Sequence, residues 1–133
     1  SISCKPDALF LFRPVLDITS GRAVRYRKAS RTQGEVSPIK HVTEKAPPTF
    51  IVQGTADGFL PETLKYAEKC AAAGATCKLV KVDGLSHTAR TEEYYRTIHE
   101  DGVGFLRRVG MLDGDTPEAG KETASRPGAN AAR

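Results

Sequence analysis

The chain has 133 residues, 39% hydrophobic, 27% charged and only 7% aromatic, with no Trp and one Met. That is a globular composition and excludes a chain disordered throughout; no run approaches the roughly 20 apolar residues of a membrane-crossing helix, so no membrane span is expected. Twenty basic against sixteen acidic side chains leave a charge of +4, which tolerates anionic partners without requiring one.

The opening Ser1-Ile2-Ser3-Cys4-Lys5-Pro6 lacks the basic start, apolar stretch and cleavage site of a signal peptide, and the chain reads as starting inside a longer protein. Ala8-Leu9-Phe10-Leu11-Phe12 follows, bounded by Pro6-Asp7 and Arg13-Pro14. A continuous apolar run suits a strand covered on both faces, as in a parallel sheet. Residues 17–37 carry Arg22, Arg25, Arg27, Lys28 and Arg31 among Ser, Thr and Gly, and read as an excursion or cap loop. After Pro47-Pro48 a second strand, Thr49 to Gln53, ends at Gly54.

From Pro61 the pattern is helical, with Pro61 and Glu62 suited to a first turn. Leu64, Ala67 and Ala71 share one face, and Gly74 suits the position after the last turn. A third strand runs from Cys77 to Val82 and is closed by Asp83-Gly84. A longer helix from Thr91 sets Tyr94 or Tyr95, Ile98, Phe105, Leu106 and Val109 at helical spacing, with Gly102 and Gly104 weakening it. Residues 113–133 hold no aromatic or large aliphatic side chain and are expected to form a disordered tail.

Apolar strands alternating with amphipathic helices indicate a parallel α/β sheet. In open sheets of this kind functional groups gather at the carboxyl ends of the strands. Two segments lie there: Gly54-Thr55-Ala56-Asp57-Gly58-Phe59-Leu60-Pro61 and Asp83-Gly84-Leu85-Ser86-His87-Thr88. Taken singly, Asp57 reads as well as a turn or cap residue and His87 as a structural hydrogen-bonder. Taken together they gain weight, because adjacent strands about 4.8 Å apart can bring the two side chains into contact. An acid holding an imidazole is two-thirds of a nucleophile–base–orienter system.

Ser37-Pro38-Ile39, the stretch Ala46-Pro47-Pro48-Thr49-Phe50-Ile51-Val52-Gln53-Gly54-Thr55-Ala56-Asp57 and Pro61 resemble the late part of an α/β-hydrolase. The nearest group is the esterase/lipase type that includes acetyl-xylan and feruloyl esterase-like proteins. There the strand before the acid reads apolar-His-Gly-Thr-x-Asp-x-x-Val-Pro and the last loop Gly-x-Gly-His. Pro6 to Asp17 is similar to the strand just after the nucleophile in that group. The resemblance covers roughly residues 5–112. It implies the C-terminal portion of a parallel α/β-hydrolase sheet, about three strands with flanking helices, truncated at the N-terminus, with 1–112 as the hydrolase part.

By this resemblance Asp57 is the triad acid and His87 the general base, preceded in chain order by a Ser in a Gly-x-Ser-x-Gly elbow. The sequence contains no such elbow. Gly84-Leu85-Ser86-His87-Thr88 comes nearest, but Thr88 stands in place of Gly and Ser86 adjoins the base; Ser86 is expected to be a loop hydrogen-bonder. Gln53 stands for the usual His, a mild departure because the position is outside the triad, and Thr88-Ala89 stand for Gly-Phe.

The implied activity is cleavage of small-molecule or carbohydrate-linked carboxylic esters, with no cofactor and no metal. The chain alone is expected to be inactive, its partner being the missing N-terminal part of the same domain. A serine peptidase of prolyl-oligopeptidase type and a catalytically inactive hydrolase-like fragment are the alternatives. The basic 22–31 segment has one aromatic and no nucleic-acid motif, so no nucleic acid is expected; as a cap it would meet an acidic substrate. His41 and His99 read as structural, and a His41/His87/Asp57 metal site lacks ligand spacing. Cys4, Cys70 and Cys77 are odd in number with no Cys-x-x-Cys, which disfavours zinc or a disulfide framework. A Cys70–Cys77 bridge stays open, with burial as small hydrophobes the expected role.

Overall fold

The computed structural model describes residues 4–20, 23 and 36–114. Strands β1 (Leu9–Phe12), β2 (Thr49–Gly54) and β3 (Cys77–Val82) form a parallel sheet in the order β1-β2-β3. Leu9 pairs with Thr49 and Phe12 with Val52 on one side of β2, while Thr49 pairs with Cys77 and Gly54 with Val82 on the other. Helix α1 (Leu60–Ala72) links β2 to β3, and α2 (Glu92–Arg108) follows β3. A 3₁₀ turn, Pro38–His41, precedes β2. The α/β class and the three parallel strands with flanking helices agree with the sequence reading.

β2 is buried along its whole length, and its side chains alternate between two cores. Phe50 and Val52 pack with Val82, Leu85, Tyr94 and Phe105 against α2. Ile51 packs with Leu16, Val42, Tyr66 and Cys70 against α1. The sheet is thus the middle of three layers. Phe10, Phe50 and Phe105 form an aromatic triangle with centroid separations of 5.2, 5.7 and 5.9 Å, in the range where tilted ring pairs attract. Coverage of both faces holds for β2 but only in part for β1, an edge strand among the described residues whose Phe12 is 41% exposed.

α1 turns its Tyr66 and Cys70 inward rather than the expected Leu64 and Ala71. Glu62, Thr63, Tyr66 and Cys70 are buried, while Leu64 is 38% exposed and Ala71 lies at the surface. It starts at the carboxyl end of β2, where Thr63 bonds Gln53, and its Tyr66 and Cys70 pack into the core beside Ile51. Its last turn closes with Ala75 N–H on Cys70 O and Gly74 N–H on Ala71 O, the paired bonds of a Schellman ending. α2 starts at Thr91, whose hydroxyl accepts from Tyr94 N–H, and buries Tyr94 rather than Tyr95. Gly102 belongs inside that helix because a Cβ there would stand 3.0 Å from the Phe10 ring; its absence lets α2 lie close on the sheet.

The 21–22 and 24–35 part of the expected excursion, with the whole basic cluster, lies outside the described residues, as does 115–133 of the expected tail. The base of the excursion is pinned. Asp17 accepts from Thr19 N–H and Thr19 Oγ1 at 2.9 and 2.6 Å, and Ser37, fully buried, accepts from Ile18 N–H. The Thr19 hydroxyl foremost, with further bonds from Thr19 N–H and Ser37, holds the Asp17 carboxyl below its ordinary value despite partial burial. Cys70 and Cys77 are free thiols packed in the same core cluster. Burial pushes Cys77 up to about 12 and raises Cys70 as well, which suits unreactive packing groups.

Candidate active site

The two singled-out loops leave neighbouring strands at the same end of the sheet. After β2 the chain turns with Asp57 N–H on Gly54 O at 3.2 Å and Leu60 N–H on Asp57 O at 3.1 Å. The Asp57 side chain folds back to accept from Phe59 N–H at 2.9 Å through Oδ1. After β3 the 83–91 segment crosses beside this turn, with Ala56 N–H on Leu85 O at 3.2 Å. The contact is so close that a Cβ on Gly54 would overlap the Leu85 carbonyl oxygen. Thr55 adds a second tie, accepting from Gly84 N–H at 2.8 Å and donating to Asp83 at 2.9 Å.

The outcome is a direct contact between the two residues chosen from sequence. His87 Nδ1 lies 2.9 Å from Asp57 Oδ2. The Asp57 side chain is fully buried, whereas that of His87 is 40% exposed. A carboxylate can only accept, so Nδ1 carries the shared proton and Nε2 is left as the lone-pair nitrogen. The Phe59 ring stands against the imidazole at a centroid distance of 5.1 Å. An imidazole held this way can take a proton from a group presented at Nε2 and return it later.

Five contributors were not identified as site residues from the sequence. Gln53 is fully buried and donates through Nε2 to Asp57 Oδ2 at 2.5 Å, while Thr63 on α1 donates to Gln53 Oε1 at 3.2 Å. Its replacement of a histidine is therefore not a remote change, since the position touches the acid. Gly54 and Thr55 bind the acid turn to the histidine loop, a role the Gly-Thr-x-Asp pattern signals but does not explain. Arg13, just after β1, donates to Ala89 O at 2.5 Å and sets its guanidinium 4.6 Å over the Tyr94 ring, so it holds the far side of the histidine loop. It does so with φ at 51°, a left-handed conformation that costs a non-glycine residue energy.

Ser86 departs from expectation. Its side chain makes no hydrogen bond among the described residues; the loop is held instead by Leu85 O and Gly84 N–H. His41 ends the 3₁₀ turn and His99 is exposed on α2. Among the described residues no group of three or more His, Cys, Asp or Glu is placed to hold a metal ion. Among the described residues no helix is long and apolar enough to cross a membrane.

Comparison with known proteins follows the same lines. Residues 3–91 match the model of a family described as having the alpha/beta hydrolase fold. Among solved structures, esterase 2 of Thermogutta terrifontis phosphoramylated by tabun superposes with a TM-score of 0.70 at 30% identity, covering 82% of this chain and 44% of that one. The same esterase phosphonylated by cyclosarin gives 0.69 at 31% identity, with 82% and 43% covered. Its propionate-bound form gives 0.69 at 29% identity, with 86% and 47% covered. The chain thus spans less than half the length of these esterases, and no curated protein matches it. With a family match over 3–91 and a parallel sheet that brings Asp57 against His87, the chain belongs to the α/β-hydrolase fold family, among structural neighbours that are esterases.

Proposed function

We propose that this chain is the acid- and base-bearing part of a serine esterase whose nucleophile and oxyanion donors lie in a segment outside these 133 residues. The observation that carries the reading is the 2.9 Å contact between the buried Asp57 and the partly exposed His87. In the reaction Asp57 orients His87 and stabilises the imidazolium. His87 Nε2 removes the proton from the serine hydroxyl as it attacks the ester carbonyl, then protonates the departing alcohol. A water activated by the same nitrogen hydrolyses the acyl-enzyme and regenerates the serine. Short-chain acyl esters are the proposed substrates, in keeping with neighbouring structures that hold propionate or butyrate.

The test is turnover of p-nitrophenyl acetate by the full-length protein. Loss of one triad member costs on the order of 10⁴–10⁶ in kcat in serine hydrolases, so His87→Ala should reduce turnover to near background. A His87→Ala protein that hydrolyses the ester at the wild-type rate contradicts the assignment.

A further inference from the structure

Asp57 Oδ2 faces two donors, His87 Nδ1 at 2.9 Å and Gln53 Nε2 at 2.5 Å, and Oδ1 faces Phe59 N–H at 2.9 Å. Of the two side-chain donors, only Gln53 is sealed from solvent. A buried carboxamide can present either its nitrogen or its oxygen, two ends of nearly equal shape. Turned the wrong way, Gln53 would set a carbonyl oxygen against the Asp57 carboxylate, acceptor against acceptor. The contact that opposes this is Thr63, whose hydroxyl lies 3.2 Å from Gln53 Oε1 and can donate to it. Phe59 O lies equally near the Thr63 hydroxyl and shares its single proton with Gln53 Oε1.

We propose that Gln53 and Thr63 are a positioning pair for the Asp57–His87 couple: Thr63 holds the amide nitrogen toward the acid, and Gln53 holds the carboxylate in the rotation that meets Nδ1. Neither touches substrate. The role rests on the reading of Asp57 and His87 as acid and base. Because the amide is neutral, the donor it supplies is present at every working pH, which a titrating side chain in its place would not ensure. The other charged groups at this end of the sheet have their own settings. Arg13 donates to Ala89 O and Asp83 accepts from Thr55, while Glu62 is buried on α1 with Oε2 unpartnered among the described residues.

The test uses the full-length protein and two readouts. In ester turnover, Gln53→Leu should lower kcat about 10- to 100-fold with KM changed less than about twofold, as expected for misplacement of a reacting group. Thr63→Val should lower kcat in the same way, and Thr63→Ser, which keeps the hydroxyl, should recover it. Gln53→Glu adds a negative charge beside the pair that favours imidazolium, so the acidic limb of its kcat/KM profile should move to higher pH. The second readout is the ¹⁵N spectrum of the His87 ring, which needs no turnover: the Nδ1–H tautomer should dominate in wild type and Thr63→Ser, and lose population in Thr63→Val. Should Gln53→Leu not fold, the Thr63 variants decide. Unchanged kcat and tautomer in Thr63→Val, or equal losses in Thr63→Val and Thr63→Ser, overturn the proposal. If His87→Ala keeps full turnover while the tautomer still follows Thr63, the esterase reading is what fails, and the positioning of the imidazole stands.

Discussion

At Gly54 the absence of a side chain decides the site's geometry, because Leu85 O occupies the space a Cβ would need. The carbonyl is backbone, so it can yield only by moving the loop that carries His87. Gly54→Ala should therefore part His87 from Asp57 and reduce kcat/KM by at least about 10²-fold in the full-length protein. Steady-state kinetics checks this, and near-wild-type values would contradict the close approach. Asp57 and His87 themselves were legible in sequence, since turn residues after two apolar runs place both at strand ends. Gln53, Thr55 and Arg13 were not. The Gln53 role depends on where a buried amide points, and those of Thr55 and Arg13 on residues 28 and 76 positions away.

Elements were legible where apolar spacing and packing agreed, as in β2, β3 and α2. They diverged in α1, where Tyr66 and Cys70 face the core in place of Leu64 and Ala71, with Thr63 and Glu62 buried at the first turn. For α2, the packing of Phe105 between Phe10 and Phe50 identifies it as the helix's main anchor. Phe105→Ala should cost about 3–5 kcal/mol of stability, to be measured by chemical denaturation; a cost under about 1 kcal/mol would place the anchor elsewhere. Lys78–Asp101, the ion pair joining β3 to α2 at 2.9 Å, is partly exposed and should add little. The pinned base of the 17–37 segment has a pH signature. Asp17 is held below its ordinary value of 3.8, so its stabilisation is complete above that pH and is lost as pH falls through the lower folded value. Wild type should therefore lose stability relative to Asp17→Asn only below pH 3.8, whereas a pH-independent difference would show that Thr19 and Ser37 do not favour the ionised form.

At the scale of the whole molecule, three strands and two helices among the described residues and a family match over residues 3–91 describe a piece of a hydrolase sheet, less than half as long as the esterases it superposes on. Its class could be read from the alternation of strands and helices, because burial on both faces of β2 writes a continuous apolar run. The cysteine pairing could not, because whether two thiols face each other depends on how α1 hands over to β3. We propose that Asp57 and His87 activate a serine carried outside this chain. Labelling the full-length protein with a fluorophosphonate and locating the adduct by mass spectrometry tests it most directly. The account predicts one adduct, on a serine outside these 133 residues, that disappears in His87→Ala. An adduct on Ser86, or labelling that persists without His87, would contradict it.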